Sequence, residues 1–230
     1  MNEISIDDIL RRQLEQYQLF QRQLAENRGR TAPRPAPVIT LSHMAGCCSR
    51  DLARLLADRL GCQVWDPELI DLAARDLRLR QEVASVLEAD VLERVDTEVQ
   101  DMVDRRRCRD DDVTVAVVRT IRVLAETGGV ILQGRGAAFV LGDQADARLR
   151  LVARTGHRLA QIMQAEGVDA RQAGVLMRAD DSRRSAFVRL HFHADADDSR
   201  RYDLVLNTER LDPDAAADLV ELYLERCRRD

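Results

Sequence analysis

Residues 38–52 read VITLSHMAGCCSRDL. The apolar, β-branched opening (Val38, Ile39, Leu41) predicts a buried strand, Gly46 a tight turn, and Arg50-Asp51-Leu52-Ala53-Arg54-Leu55-Leu56-Ala57 the start of a helix. In a strand–loop–helix unit of this kind, backbone N–H groups and a helix N-terminus can cradle phosphate. The standard loop, G-x-x-x-x-G-K-[ST], is not met. Ser49 stands at its last glycine, Arg50 at the lysine and Asp51 at the Mg²⁺-binding hydroxyl.

Downstream, the helix should stop at Gly61, a residue suited to a left-handed cap, before a short strand at Cys62–Trp65. Asp66-Pro67-Glu68 predicts a helix start, with Asp as N-cap, Pro in the first turn and a carboxylate facing the dipole. Residues 68–104 keep helical spacing nearly throughout, and 105–112 (RRRCRDDD) read as a solvated loop. A helix over 113–127 precedes the apolar strand Val130-Ile131-Leu132-Gln133, which empties into Gly134-Arg135-Gly136. After a short helix come a strand at 149–153, a helix at 156–166, two helical segments flanking 169–190, a strand at 203–207 and a final helix opened by Pro213. Alternating strands and helices imply an α/β fold with a parallel sheet covered on both faces. Ligands bind such sheets beyond the carboxyl ends of the strands. Gly46 to Arg50, Gly134-Arg135-Gly136 and Asn207-Thr208 all fall there.

Residues 1–30 are expected to form a separate amphipathic helix, with Ser5 and Asp8 spaced as in a capping box and Leu10, Leu14, Tyr17 and Leu24 as an incomplete heptad stripe broken at Gln21. Residues 31–37 (TAPRPAP) read as a stiff proline-rich linker and 38–230 as the main domain. The helix either packs on its own domain or offers a homodimer or partner contact through residues 5–27.

The chain has 230 residues, enough for one domain with an appendage. All 35 basic residues are arginine, so no catalytic lysine exists. A net charge of −5 argues against a general nucleic-acid binder, and no stretch has the apolar length of a membrane helix. Five cysteines without zinc or disulfide spacing suit a reducing cytoplasm, so the expectation is a soluble cytoplasmic protein without membrane or nucleic-acid partners.

Four stretches in register, VITLSHMAGCCSRDLARLLADRLGCQVWD, VILQGRGAAFVL, RADDSRRSAF and YDLVLNTERL, resemble the cytidylate kinase-like family of P-loop nucleoside-monophosphate kinases, over roughly residues 38–225. The resemblance implies a five-stranded parallel sheet flanked by helices, with a helical acceptor region and a small lid. It implies transfer of the γ-phosphoryl group of ATP, with Mg²⁺, to a nucleoside monophosphate such as CMP or dCMP. Gly46, Cys47, Cys48, Ser49, Arg50 and Asp51 would bind the donor phosphates, Arg135 and Arg158 the acceptor, and Arg50, Arg178 and Arg184 would be catalytic. No protein-held metal site is expected. Arg178, Asp181, Arg184 and Phe187 recur every three residues, and Arg183 is adjacent to the last arginine.

Where the family has a Gly-Ser-Gly-Gly-type loop, this chain has Gly46-Cys47-Cys48-Ser49. The two missing glycines leave a second reading open, a catalytically inactive nucleotide-binding or regulatory protein using the N-terminal helix for contacts. Asp51 should either meet Mg²⁺ through water or cap its own helix. Cys47 and Cys48 should gain thiolate character from the helix dipole and Arg50. His191 and His193, with the aspartates that follow, would suit a metal only on a strand.

Overall fold

The computed structural model describes residues 6–26, 36–76, 81–82, 84–85 and 87–227. In chain order the elements are α1 (Ile6–Glu26), β1 (Val38–His43), α2 (Ser49–Leu60), β2 (Gln63–Trp65), α3 (Pro67–Arg75), α4 (Ala89–Asp104), α5 (Asp112–Thr127) and β3 (Val130–Gln133). There follow α6 (Ala137–Leu141), β4 (Ala147–Val152), α7 (Thr155–Glu166), α8 (Ala170–Phe192), β5 (Leu204–Asn207) and α9 (Pro213–Cys227). The five strands form one parallel sheet in the order β2-β3-β1-β4-β5.

Side chains alternate between the two faces of this sheet. Val38, Val130 and Leu132 join a core with Trp65, Ile70, Val118 and Ile121 under α3–α5. Ile39, Leu41 and Ile131 face the other way, onto Leu52 and Leu56 of α2 and Val220 of α9. All four residues of β3 are buried, as a central strand covered on both faces requires.

Local chemistry sets most boundaries. Gly61 ends α2 at φ +66°, and Asp66 caps α3 by accepting from the Leu69 N–H at 2.9 Å, with Pro67 at the first helical position. The helical spacing over 68–104 is interrupted: Asp76, in extended backbone, closes α3, and Glu88, also extended, precedes α4. One expectation fails. Residues 170–192 form a single helix, with Asp169 accepting from the Gln172 N–H at its start.

The N-terminal helix sits on its own domain. Gln13 is fully buried and its Nε2 donates to Thr127 Oγ1 (2.9 Å) and Gly128 O (2.5 Å); Gln16 donates to Gly61 O at 2.8 Å. Ile9 and Tyr17 pack on the α3–α5 core, and the helix lies against β2. β2 is an edge strand of the sheet. The stripe positions Leu10, Leu14, Gln21 and Leu24 lie outside the described side chains, and most of the expected 31–37 linker outside the described residues.

Candidate active site

The loop between β1 and α2 sits at the carboxyl end of a central strand. Gly46 has φ +76°, and a Cβ there would come within 2.6 Å of the Arg158 carbonyl oxygen, so only glycine fits. Cys48 is also left-handed, at φ +49° and ψ 33°, and stands at the N-cap of α2 without a side-chain cap. The first N–H groups of a helix lack partners within it, so this uncapped end and the left-handed turns before it provide amides suited to an anion. Cys48 thus occupies a conformation that glycine adopts without strain. Ser49 is different: it is the first helical residue, buried, and its Oγ accepts from Gln133 Nε2 at 2.9 Å.

A partly buried ion pair braces the loop. Arg158 on α7 is only 4% exposed; its Nε donates to Ala45 O at 2.7 Å, and it pairs with Asp181 of α8. Asp181 Oδ1 in turn accepts the Ala45 N–H at 2.9 Å. Arg158, expected on the acceptor side, instead supports the β1–α2 loop, with its guanidinium bonded to protein groups.

A second network crosses the strand ends. His43, closing β1, is buried; its Nδ1–H donates to Met44 O (3.1 Å), leaving Nε2 to accept from Arg184 (2.8 Å) and Gln133 (3.2 Å). Burial, reinforced by the Arg184 cation, pulls the His43 pKa down to about 3, so the ring is neutral at physiological pH. Arg184 also donates twice to Asp180 Oδ2 (2.9 and 2.7 Å), and Arg183 donates to Asp180 Oδ1 at 2.7 Å. Burial favours the neutral Asp180 acid, but these arginine bonds prevail and hold its pKa below the usual value.

Arg135 follows β3 at φ +47°. Its Nε and Nη2 donate to the two oxygens of Asp71 on α3, both at 2.7 Å, and its guanidinium lies over the Phe187 ring, 5.1 Å from the centroid. Helix α8 therefore reaches three places at once: the β1–α2 loop through Asp181, the strand ends through Arg184, and Arg135 through Phe187. Arg178 does not join them. Steps of three residues drift by about 60° around a helix, and its guanidinium lies back along α8, where it would meet a Cβ at Gly174.

Two grooves meet at this point. One, of about 740 Å³, is lined by Gly46 to Asp51 together with Gln161, Ile162, Leu176 and Ala179. The other, of about 820 Å³, is lined by Arg54, Asp66, Glu68 and Arg135, with Ile9 and Arg12 of α1 at its rim. Both are bounded by His43, Ser49, Arg50, Asp180, Arg183 and Arg184. Arg50 is exposed there and makes no hydrogen bond or ion pair among the described residues; Asp51 is exposed one residue later.

Sequence reading missed His43, Gln133, Asp180 and Asp71. The first two carried a signal, since each is a polar residue closing an otherwise apolar strand of a parallel sheet. The expected thiolate character of the loop cysteines is reversed. Burial pushes the Cys47 pKa up; burial and then the Asp51 carboxylate do the same for Cys48. His191 lies on α8, not on a strand, with Nδ1 bonded to Thr114 Oγ1 at 2.6 Å, and His193 is the left-handed cap of that helix.

The profile of the cytidylate kinase-like family matches residues 38–210, from the first strand through the last. The chain belongs to the cytidylate kinase-like family. Among curated relatives, a cytidylate kinase of Methanopyrus kandleri is 26% identical over 200 residues, covering 82% of this chain and 93% of that protein. One from Natronomonas pharaonis is 29% identical over 119 residues, covering 51% of this chain and 62% of that protein. A crystal structure of an uncharacterized protein from Eubacterium ventriosum shares the fold, with a TM-score of 0.63 and 21% identity over 83% of this chain and 99% of that one. Helix α1 and helix α9 lie outside the stretch that the family profile matches. No described helix is long and apolar enough to cross a membrane.

Proposed function

We propose that this member of the family transfers the γ-phosphoryl group of ATP to a nucleoside monophosphate, with CMP or dCMP as the acceptor. The observation that carries the reading is the meeting of the two grooves between Arg50 and the Arg183–Arg184 pair. The Gly46–Arg50 amides hold the donor phosphates in this reading, and Arg135 the acceptor phosphate. Arg184, already anchored by Asp180 and His43, faces the transferring group. Phosphoryl transfer needs positioning and positive charge more than covalent chemistry, so the absence of lysine is met by arginine charge at Arg50.

In this reading Mg²⁺ enters with the nucleotide. Asp51, a hard oxygen donor on the donor groove, is the residue that would meet it, and the ion would neutralise phosphate charge. The second reading, nucleotide binding without catalysis, draws on one observation: Cys48 holds a side chain in the left-handed position of the loop.

Phosphoryl transfer from Mg·ATP to a panel of nucleoside monophosphates tests this, with Arg135→Ala as the paired variant. CDP or dCDP formation that collapses in the variant supports the kinase reading. Folded protein that binds ATP but phosphorylates no acceptor supports the second.

A further inference from the structure

Arginine has two edges that can each form a bidentate pair: Nε with Nη2 along the side, and Nη1 with Nη2 at the end. In Arg135 the side edge is taken by Asp71, in two bonds of 2.7 Å. One face of the guanidinium lies on the Phe187 ring. Among the described residues nothing bonds Nη1, and Arg135 lines the groove that also holds Arg50 and Arg184.

The backbone beneath is held by the same two helices. Gly134, Arg135 and Gly136 all have positive φ (+74°, +47° and +71°); glycine takes it freely, but at Arg135 it persists only where the surroundings enforce it. A Cβ at Gly134 would lie 3.2 Å from Pro67, the first residue of the helix that carries Asp71. At Gly136 it would lie 2.1 Å from Phe192, the last residue of the helix that carries Phe187. Helices α3 and α8 thus grip both the turn and the side chain it presents.

We infer that Asp71 and Phe187 are positioning residues: they fix Arg135 so that its Nη1–Nη2 edge takes a phosphate monoester in the acceptor groove. The inference rests on the acceptor role proposed for Arg135. Asp71 cannot act by charge, since a carboxylate beside an incoming phosphate is repulsive; its contribution is to remove rotational freedom from a long side chain before binding. Phe187 does the same from α8, the helix whose Asp181 braces the β1–α2 loop.

The test compares full-length wild type with Asp71→Ala, Asp71→Glu and Phe187→Leu. The side-chain Nε–H signal of Arg135 is followed by NMR during titration with inorganic phosphate, alongside steady-state kinetics with CMP. In wild type the Arg135 signal should be slow to exchange with water and should shift on phosphate addition. In Asp71→Ala the protection should vanish, and the KM for CMP should rise about fivefold to tenfold with kcat changed less than twofold, the size expected for re-ordering one long side chain. Asp71→Glu should restore part of both, and Phe187→Leu should weaken phosphate binding with the Asp71 pair intact. An Asp71→Ala protein that binds phosphate or CMP as tightly as wild type, or more tightly, would overturn the inference and make Asp71 a competitor of the ligand. An Arg135 signal that phosphate leaves unmoved in wild type would overturn it too. If phosphate binds as inferred while CMP is not turned over, the inference stands and the kinase reading fails.

Discussion

Cys48 and Ser49 both stand where the family carries glycine, yet restoring glycine at the two positions should have opposite effects. At Cys48, φ +49° places an L-residue in the left-handed region, which costs about 1–2 kcal/mol, while glycine there gives back roughly 0.5–1 kcal/mol through its freer unfolded chain. Cys48→Gly should therefore stabilise by about 0.5–1 kcal/mol, a rise in Tm of about 2–3 °C for a chain of this size. Ser49 is helical, so glycine removes no strain. It deletes the buried Oγ that accepts from Gln133, a loss of about 0.5–1.5 kcal/mol, and adds up to about 1 kcal/mol of helix penalty. Ser49→Gly should thus destabilise by about 1–2 kcal/mol and lower Tm by about 4–6 °C. Urea unfolding of both single variants and the double variant, with calorimetric titration of Mg·ATP, measures this directly. ATP affinity should rise in Cys48→Gly, where the backbone can relax toward phosphate, and fall in Ser49→Gly. A Cys48→Gly protein less stable than wild type, or a neutral Ser49→Gly, would refute the assignment of strain to one position and bonding to the other.

Asp181→Ala should unfold or severely loosen the β1–α2 loop, because it frees the Ala45 N–H and strands a buried Arg158, a change worth about 3–5 kcal/mol in chemical denaturation. His43 gives a pH signature. Its native pKa of about 3 lies below the unfolded value of 6.5, so the unfolded chain binds the extra proton between these limits and stability falls as pH drops from 6.5 towards 3. Unfolding free energy should decline by up to about 1.4 kcal/mol per pH unit from this residue, and a His43→Gln variant should show a shallower slope between pH 6.5 and 4.5. Arg184→Ala should lower the phosphoryl-transfer rate about 10²–10³-fold if its charge faces the transferring group, whereas Arg178→Ala should stay within about twofold. Equal losses in single-turnover assays of the two variants would contradict the placement of Arg178 away from the grooves.

Much of the architecture was legible because local rules wrote it. Apolar runs bounded by Gly, Asp and Pro marked the strands and helix starts, and their alternation required a parallel sheet with its ligand end at the carboxyl termini of the strands. Gly46 to Arg50 and Arg135 could be named from that alone. Spacing in α8 was less reliable: residues at intervals of three separate by about 60° per step, so a stripe read in sequence as one face leaves Arg178 off the cleft that Arg184 reaches.

By itself, the sequence determined the order of the strands and of most helices, the position of the β1–α2 loop, the exclusion of lysine chemistry and the family. Only tertiary structure decided which charges are free and which are committed. Arg158 and Arg135 look alike in sequence, but Arg158 is buried and bonded to Ala45 O, while Arg135 lines a groove. Cys48 and Ser49 look like equal departures, but one is strained and the other bonded. These distinctions depend on Asp181, Asp71 and Gln133, which lie 23, 64 and 84 residues away along the chain from the groups they hold. No local pattern encodes such pairs; folding brings them together.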